Sequence, residues 1–271
     1  MIEHPEHRKI VADVWGLHPD ELPDKGVSAY EMMEKVHDRE IKALFIMGSN
    51  PVLSNPNANY VREGLNHLDL LVTADMFLSE TAQMADFVLP VSSYLENEGT
   101  MTNVEGRVLL REAKRELQGE VKHDWQILCE LADRIGRGSY FRYTSSEAIF
   151  NELRLASRGG IADYYGITYD RLRGQEGICW PCPELDHPGE QRLFSDSFPR
   201  DDGKAELLPV PYQLPDEQND DEYPLYLTTG RVLSHYLTGE QTRRSYSLAA
   251  RQVESFLEIH PKTAKKYGIE N

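Results

Sequence analysis

Residues 42–91 of the chain read KALFIMGSNPVLSNPNANYVREGLNHLDLLVTADMFLSETAQMADFVLPV, and this stretch decides the fold. Its short apolar runs, each bounded by turn residues, are typical of strands that are covered on both faces. The segments between the runs indicate helices. The predicted strands are residues 42–47, 70–73 and 87–91, and the predicted helices are residues 59–68 and 79–86. Because a β-α-β-α-β order favours right-handed crossovers, we predict an α/β domain with a mainly parallel sheet.

The rest of the chain predicts further helices and one domain boundary. A capping box of Ser28 and Glu31 opens one helix, and an apolar stripe predicts another over residues 123–136. The acidic run DEQNDDEY at 216–223 is typical of a connector between domains. We therefore predict two domains, residues 1–215 and 216–271. The second domain is predicted to have strands at 224–228 and 256–260 and a short helix at 261–267.

Composition bounds the class of protein. The chain has 271 residues, with 45 acidic against 29 basic side chains and a formal net charge of −16. A nucleic-acid or anionic-membrane surface needs a basic patch, so this balance argues against both partners. The apolar runs are far shorter than the ~20 residues of a membrane span, and the first twenty residues do not resemble a signal peptide. We expect a cytoplasmic protein.

The turn Gly48-Ser49-Asn50-Pro51 directly follows the first predicted strand. In open α/β sheets, ligands bind outside the carboxyl ends of the strands. Gly48 would allow close approach of a ligand to the backbone, and the next two side chains offer hydrogen bonds. The same residue types are also the commonest in ordinary turns, so this pattern alone leaves both interpretations open.

Asp75 ends the second predicted strand, in the sequence LVTAD. A carboxylate at that position could accept two hydrogen bonds from the N–H groups of a guanine base. Alternatively, Asp75 caps the helix that follows, a role that aspartate fills well. Ser79 could supply that cap equally well.

Two further patterns contain possible ligands. Residues 229–239 read TGRVLSHYLTG, in which two Thr-Gly pairs enclose Arg231, whose planar donors suit a phosphate or a heterocycle edge. A hairpin-like turn explains this pattern equally well. Cys179 and Cys182 form a CxxC pair, but no second pair or zinc-type histidine spacing accompanies it, so we predict no metal site there.

Three stretches of the sequence resemble the molybdopterin oxidoreductase family. Residues 41–108, with GSNP, LVTAD and LENEGT in order, resemble the family's α/β domain. Residues 223–245 and 256–269 are similar to the start of its C-terminal dinucleotide-binding domain. The resemblance implies a Rossmann-like sheet domain followed by the beginning of a double-psi β-barrel. It also implies that the chain is a fragment of a longer catalytic subunit.

The resemblance implies a set of residues that contact bis-molybdopterin guanine dinucleotide, the molybdenum cofactor of the family. From the first domain these are Asn50, Ala74, Asp75, Asn97 and Asp124. From the second they are Thr229, Gly230, Arg231, Val232, Leu233, Ser234, His235, Tyr236, Leu237 and Thr238. Many relatives have a lysine in place of Asn97, which leaves that contact in doubt, and often a histidine in place of Leu237, which here would contribute only its backbone.

Residues 119–136 and 177–212 are most similar to the nitrate reductases and formate dehydrogenases of the family. The expected activity of the parent enzyme is therefore reduction of nitrate to nitrite, with a protein electron donor and a [4Fe-4S] cluster whose ligands lie outside this chain. Formate oxidation is the alternative, as is a non-catalytic respiratory-complex subunit with the same fold. We expect no residue of this chain to bind the metal, and we assign no catalytic residue.

Overall fold

The computed structural model describes residues 2–270, which divide between Pro209 and Val210 into two compact units. The first unit begins with α1 (Pro5–Trp15) and α2 (Ala29–His37). In α2 the predicted capping box is present: Ser28 Oγ accepts from the Glu31 amide at 3.2 Å, and the Glu31 carboxylate accepts from the Ser28 amide at 2.7 Å. These two bonds satisfy amides that no helical carbonyl can reach.

A three-stranded parallel sheet follows, with strand order β1-β2-β3. Its elements are β1 (Ala43–Met47), α3 (Pro51–Ser54), α4 (Ala58–Leu65), β2 (Leu70–Asp75) and β3 (Phe87–Pro90). The register pairs Ala43 with Leu70 and Asp75 with Pro90. Pro90 lies at the end of its strand, where the missing N–H costs least. The predicted α/β class and parallel sheet are confirmed.

The predicted helix over residues 79–86 was wrong in extent, since only a 3-10 turn, Ala82–Met84, forms there. Side-chain hydroxyls in this segment bond to backbone amides: Ser79 Oγ accepts from the Ala82 amide, and Thr81 Oγ1 accepts from the Val52 amide. The Ser79 bond caps the short turn, and the Thr81 bond ties the segment to α3, 29 residues away along the chain.

Both faces of the parallel sheet carry apolar side chains. On one face, α2 and α4 contribute a core cluster with buried Val36, Val61 and Leu71. On the other face, Ala74 and Val91 pack against Ile127 of α5 (Asp124–Arg134). The sheet is therefore held between helices, as its continuous apolar strands require.

A second sheet, which the sequence pattern does not predict, completes the first unit. It is antiparallel, with order β4-β5-β6, and packs with two helices around buried Val108, Ile167 and Tyr169. Its elements are β4 (Gly99–Thr102), β5 (Arg107–Arg111), α6 (Ser146–Ser157), α7 (Tyr169–Arg173) and β6 (Ile178–Cys179).

The second unit contains α8 (Tyr246–Ala249) and α9 (Pro261–Tyr267), the latter at the predicted position. The strands predicted at 224–228 and 256–260 are not formed within residues 210–270. Strands need paired edges and a covered apolar face, and here Leu227 and Phe256 remain exposed. The beginning of a β-barrel therefore stays a prediction. No helix within residues 2–270 is long and apolar enough to cross a membrane.

Candidate functional site

The carboxyl ends of the three parallel strands meet at one edge of the sheet. The Gly48 amide, just after β1, donates to the Ala74 carbonyl of β2 at 2.9 Å. The Val91 amide, just after β3, donates to the Asp75 carbonyl at 3.3 Å. Gly48 has a φ of +56°, and a Cβ placed on it would meet no atom within 4 Å. The backbone at this edge is therefore open to close approach by a ligand.

Asn50 ties the loop after β1 to the loop after β2. Its Oδ1 accepts from Thr81 Oγ1 at 2.7 Å and from the Thr81 amide at 3.3 Å. Its Nδ2 donates to the Glu80 carboxylate at 2.8 Å. The side chain is buried, with 7% of its surface exposed. Most of its hydrogen-bonding capacity is thus used within the protein.

Asp75 holds a tight turn at the end of β2. Its Oδ1 accepts from the Met76 amide at 2.7 Å and the Phe77 amide at 3.3 Å. Its Oδ2 accepts from Ser79 Oγ at 3.2 Å. The carboxylate therefore closes a turn and does not cap a helix, because no helix begins directly after Asp75. A carboxylate offers about four acceptor positions, so this half-buried group can accept a further hydrogen bond. The guanine contact stays a prediction.

A polar network extends this edge beyond β3. Ser92 is buried, and its Oγ lies 3.0 Å from Nδ1 of His123, the residue before α5. Asn97 Nδ2 donates to Ser92 Oγ at 3.2 Å. Arg111 Nη2 in turn donates to Asn97 Oδ1. The network places the predicted Asn97 next to Ser92 and Arg111. The sequence analysis named neither Ser92 nor Arg111 as a site residue, although the position of Ser92 just after a strand was an available signal.

The two remaining predicted residues of the first unit also lie near this edge. Ala74 is fully buried in β2, where its backbone carbonyl accepts the Gly48 bond described above. Asp124 is half-buried and is the first residue of α5, directly after His123. An acidic side chain there is favoured by the partial positive charge of a helix N-terminus. The structure thus brings all five predicted residues of this unit to one region.

Cavities border both sheets of the first unit. One of about 730 Å³ lies along the apolar face between the parallel sheet and α5, where Val72, Leu89 and Ile127 line it, and it contains none of the predicted residues. Another of about 500 Å³ lies beside the polar network and is lined by Arg111 together with Tyr94 and Lys114.

The predicted loop 229–238 belongs to the second unit. His235 holds it: Nδ1 lies 3.1 Å from Thr242 Oγ1, and Nε2 lies 3.1 Å from the Gln252 carbonyl. Leu237 adopts a positive φ of 51°, and Arg231 is exposed. The loop is thus an ordered turn with its cation in solvent.

The CxxC cysteines are free and buried, and Trp180 between them packs against the second core. Cys182 Sγ lies 3.3 Å from the His187 carbonyl. Within residues 2–270, no group of three or more His, Cys, Asp or Glu residues could hold a metal ion.

Comparison with known proteins identifies the relatives of this chain. The family model described as Molybdopterin oxidoreductase matches residues 12–134, and that described as Molydopterin dinucleotide binding domain matches residues 225–271. The assimilatory nitrate reductase catalytic subunit of Bacillus subtilis is 64% identical over 100% of this chain and 38% of its own length. The F420-dependent formate dehydrogenase 1 subunit alpha of Methanococcus maripaludis is 39% identical over 98% of this chain and 38% of its own length. The chain therefore spans about 38% of the length of these two relatives.

A solved structure supports the fold independently. Acetylene hydratase from Pelobacter acetylenicus superimposes with a TM-score of 0.71 at 22% identity, over 97% of this chain and 38% of that protein.

Proposed function

This chain belongs to the molybdopterin oxidoreductase family, and we propose that it forms part of the cofactor-binding core of a molybdenum-dependent nitrate reductase. The observation that carries the proposal is the 64% identity to an assimilatory nitrate reductase catalytic subunit over the whole chain. The match of the C-terminal region to a molybdopterin dinucleotide-binding domain supports the same cofactor.

The carboxyl edge of the parallel sheet has groups that fit a guanine dinucleotide. Asp75 supplies a charged acceptor for the base, Gly48 supplies open backbone, and Asn50 fixes the loop that presents it. Asn97 and Asp124 lie farther along the same edge. Residues 229–238 of the second unit are a separate candidate contact for the same cofactor. The bound cofactor supplies the redox chemistry, while the protein contributes binding, orientation and electrostatics.

The substrate of the whole enzyme would be nitrate, which it would reduce to nitrite in the cytoplasm. Electrons would come from a donor protein or subunit through a [4Fe-4S] cluster whose ligands lie outside this chain. A formate dehydrogenase is the second candidate, because a formate dehydrogenase subunit matches 98% of the chain at 39% identity.

Deletion of the coding region in the source organism tests the substrate. We expect the deletion strain to lose growth on nitrate as the sole nitrogen source and to keep growth on nitrite and on ammonium. If the deletion strain instead grows unchanged on nitrate and its extracts no longer oxidise formate, the enzyme is a formate dehydrogenase and not a nitrate reductase.

A chimera tests the binding of the cofactor. In it, this chain replaces the matching segment of the Bacillus subtilis relative. We expect the chimera to contain molybdenum and guanine nucleotide in the same ratio to protein as the parent enzyme. A folded chimera that lacks both would contradict the proposal.

A further inference from the structure

Arg111 is a cation that has no anionic partner among residues 2–270. It ends β5, and one of its terminal nitrogens donates to Asn97. Its Nε is buried and has no hydrogen-bond partner within residues 2–270. No ion pair joins it to a carboxylate in the same part of the chain. Arg111 as a whole is half-buried and lines a cavity, which suits it to a ligand that brings hydrogen-bond acceptors.

The two neighbouring cations, unlike Arg111, each have a carboxylate partner. Lys114 and Arg173 line the same 500 Å³ cavity as Arg111. The Lys114 ammonium is 2.8 Å from the Glu112 carboxylate, and the Arg173 guanidinium is 3.1 Å from the Asp170 carboxylate. Their charges are therefore compensated within the protein. The charge of Arg111 is the one that remains for an external anion among these three.

Arg111 is connected to the edge of the parallel sheet by hydrogen bonds. Asn97 accepts from it and donates to Ser92, which lies just after β3. Pro90 of β3 pairs with Asp75 of β2, so only one strand spacing, ~4.8 Å, separates the two strand ends. A ligand whose base contacts Asp75 can therefore extend past the end of β3 towards Arg111.

We propose that Arg111 binds the diphosphate group of the guanine dinucleotide, and that Asn97, which itself donates to Ser92, holds its guanidinium in position. This inference rests on the proposed function, since the guanine end must lie at Asp75. The planar guanidinium matches phosphate oxygens with parallel N–H donors. Asn97 is then a positioning residue.

The experiment uses the 271-residue chain and three probes: guanosine, guanosine diphosphate and inorganic pyrophosphate. Their dissociation constants are measured by isothermal titration calorimetry for the parent chain and for Arg111→Gln, Arg111→Lys and Arg115→Gln. Arg115 is an exposed arginine four positions along the chain, so its replacement removes the same charge without touching the network. Thermal unfolding of each variant confirms that it is folded.

We expect guanosine diphosphate to bind the parent chain more tightly than guanosine. Arg111→Gln should raise the dissociation constant of guanosine diphosphate by about tenfold, the effect of one charge-assisted hydrogen bond. The dissociation constant of guanosine should not change. Arg111→Lys should recover part of the loss, and Arg115→Gln should bind both ligands as the parent does.

Different failures separate the inference from the proposed function. Guanosine binding with no effect of Arg111→Gln on guanosine diphosphate would overturn the inference alone. A second outcome is that pyrophosphate binds only when Arg111 is present and guanosine does not bind at all. That outcome would overturn the guanine site at Asp75, and with it the assignment of Arg111 to the diphosphate of the guanine dinucleotide. Absence of binding by all three probes would overturn both.

Discussion

Replacement of Asp75 by asparagine should separate cofactor binding from folding, because the carboxylate both holds a turn and is the proposed acceptor for guanine. In the substituted protein, Oδ1 can still accept from the Met76 and Phe77 amides. The new amide nitrogen takes the place of Oδ2, where the Ser79 hydroxyl can rotate and accept a hydrogen bond from it. We therefore expect a loss of only about 1 kcal/mol in the free energy of unfolding without cofactor.

The loss of cofactor should be larger. Hydrogen bonds to a charged group contribute about 1.5–3 kcal/mol, and the amide nitrogen of Asn presents a donor to a guanine donor. At ~1.4 kcal/mol for each factor of ten, retention of the cofactor should fall by roughly one to two orders of magnitude. The assay is the molybdenum and guanine-nucleotide content of the Asp75→Asn chimera beside the parent chimera.

A matched control lies at the opposite edge of the sheet. The Asp86 carboxylate accepts from the Leu71 amide at 2.8 Å, at the amino end of β2. Asp86→Asn should lower the stability of the cofactor-free chain by a similar amount and leave the cofactor content unchanged. Our reasoning would be refuted if Asp75→Asn kept its full cofactor content while its cofactor-free form lost clearly more stability than the control.

Three further results are expected. Asn50→Ala should lower the free energy of unfolding, measured by urea titration, by about 2–4 kcal/mol, because buried Thr81 loses the acceptor of two hydrogen bonds. A loss smaller than that of Asp75→Asn would contradict this expectation. The backbone amide and hydroxyl of Ser93 lower the pKa of Glu96, so the stability that these bonds provide is present above the ordinary glutamate pKa and is lost as pH falls through the lowered value. NMR titration should show that Ser93→Ala raises the pKa of Glu96, and an unchanged value would exclude the hydroxyl as a cause. Limited proteolysis should cut within residues 214–223 before any site in α5, because the apolar side chains of the second unit are largely exposed. Equal cleavage rates would mean that the second unit is as well packed as the first.

The parallel sheet could be predicted from the sequence because its signals are local. Each strand is a short apolar run that is followed by turn residues. The antiparallel sheet was missed because GTMT and RVLLR are short and of mixed polarity. The segments 224–228 and 256–260 have the apolar pattern of strands, but a pattern cannot supply the partner strands that they need.

The candidate site also combines residues that the sequence could place with residues that it could not. Asn50 and Asp75 follow strands, so the order of elements places them together. The contacts of Arg111 depend instead on a tertiary hydrogen bond between β5 and the loop after β3, which no spacing in the sequence encodes. Sequence reasoning therefore found the ends of the strands and missed the side chains that reach them from the second sheet.

The hydrogen bonds at the sheet edge assign different roles to its two central residues. Asn50 is buried and uses both its carbonyl and its amide within the protein, so we propose that it serves a ligand only by fixing the loops around it. Asp75 is half-buried and keeps acceptor capacity after satisfying its own turn, so we propose that this carboxylate is the group that contacts the base. Because the turn already orients that carboxylate, little conformational entropy is lost when a ligand binds. Changes at Asn50 should therefore act first on stability, and changes at Asp75 first on the cofactor.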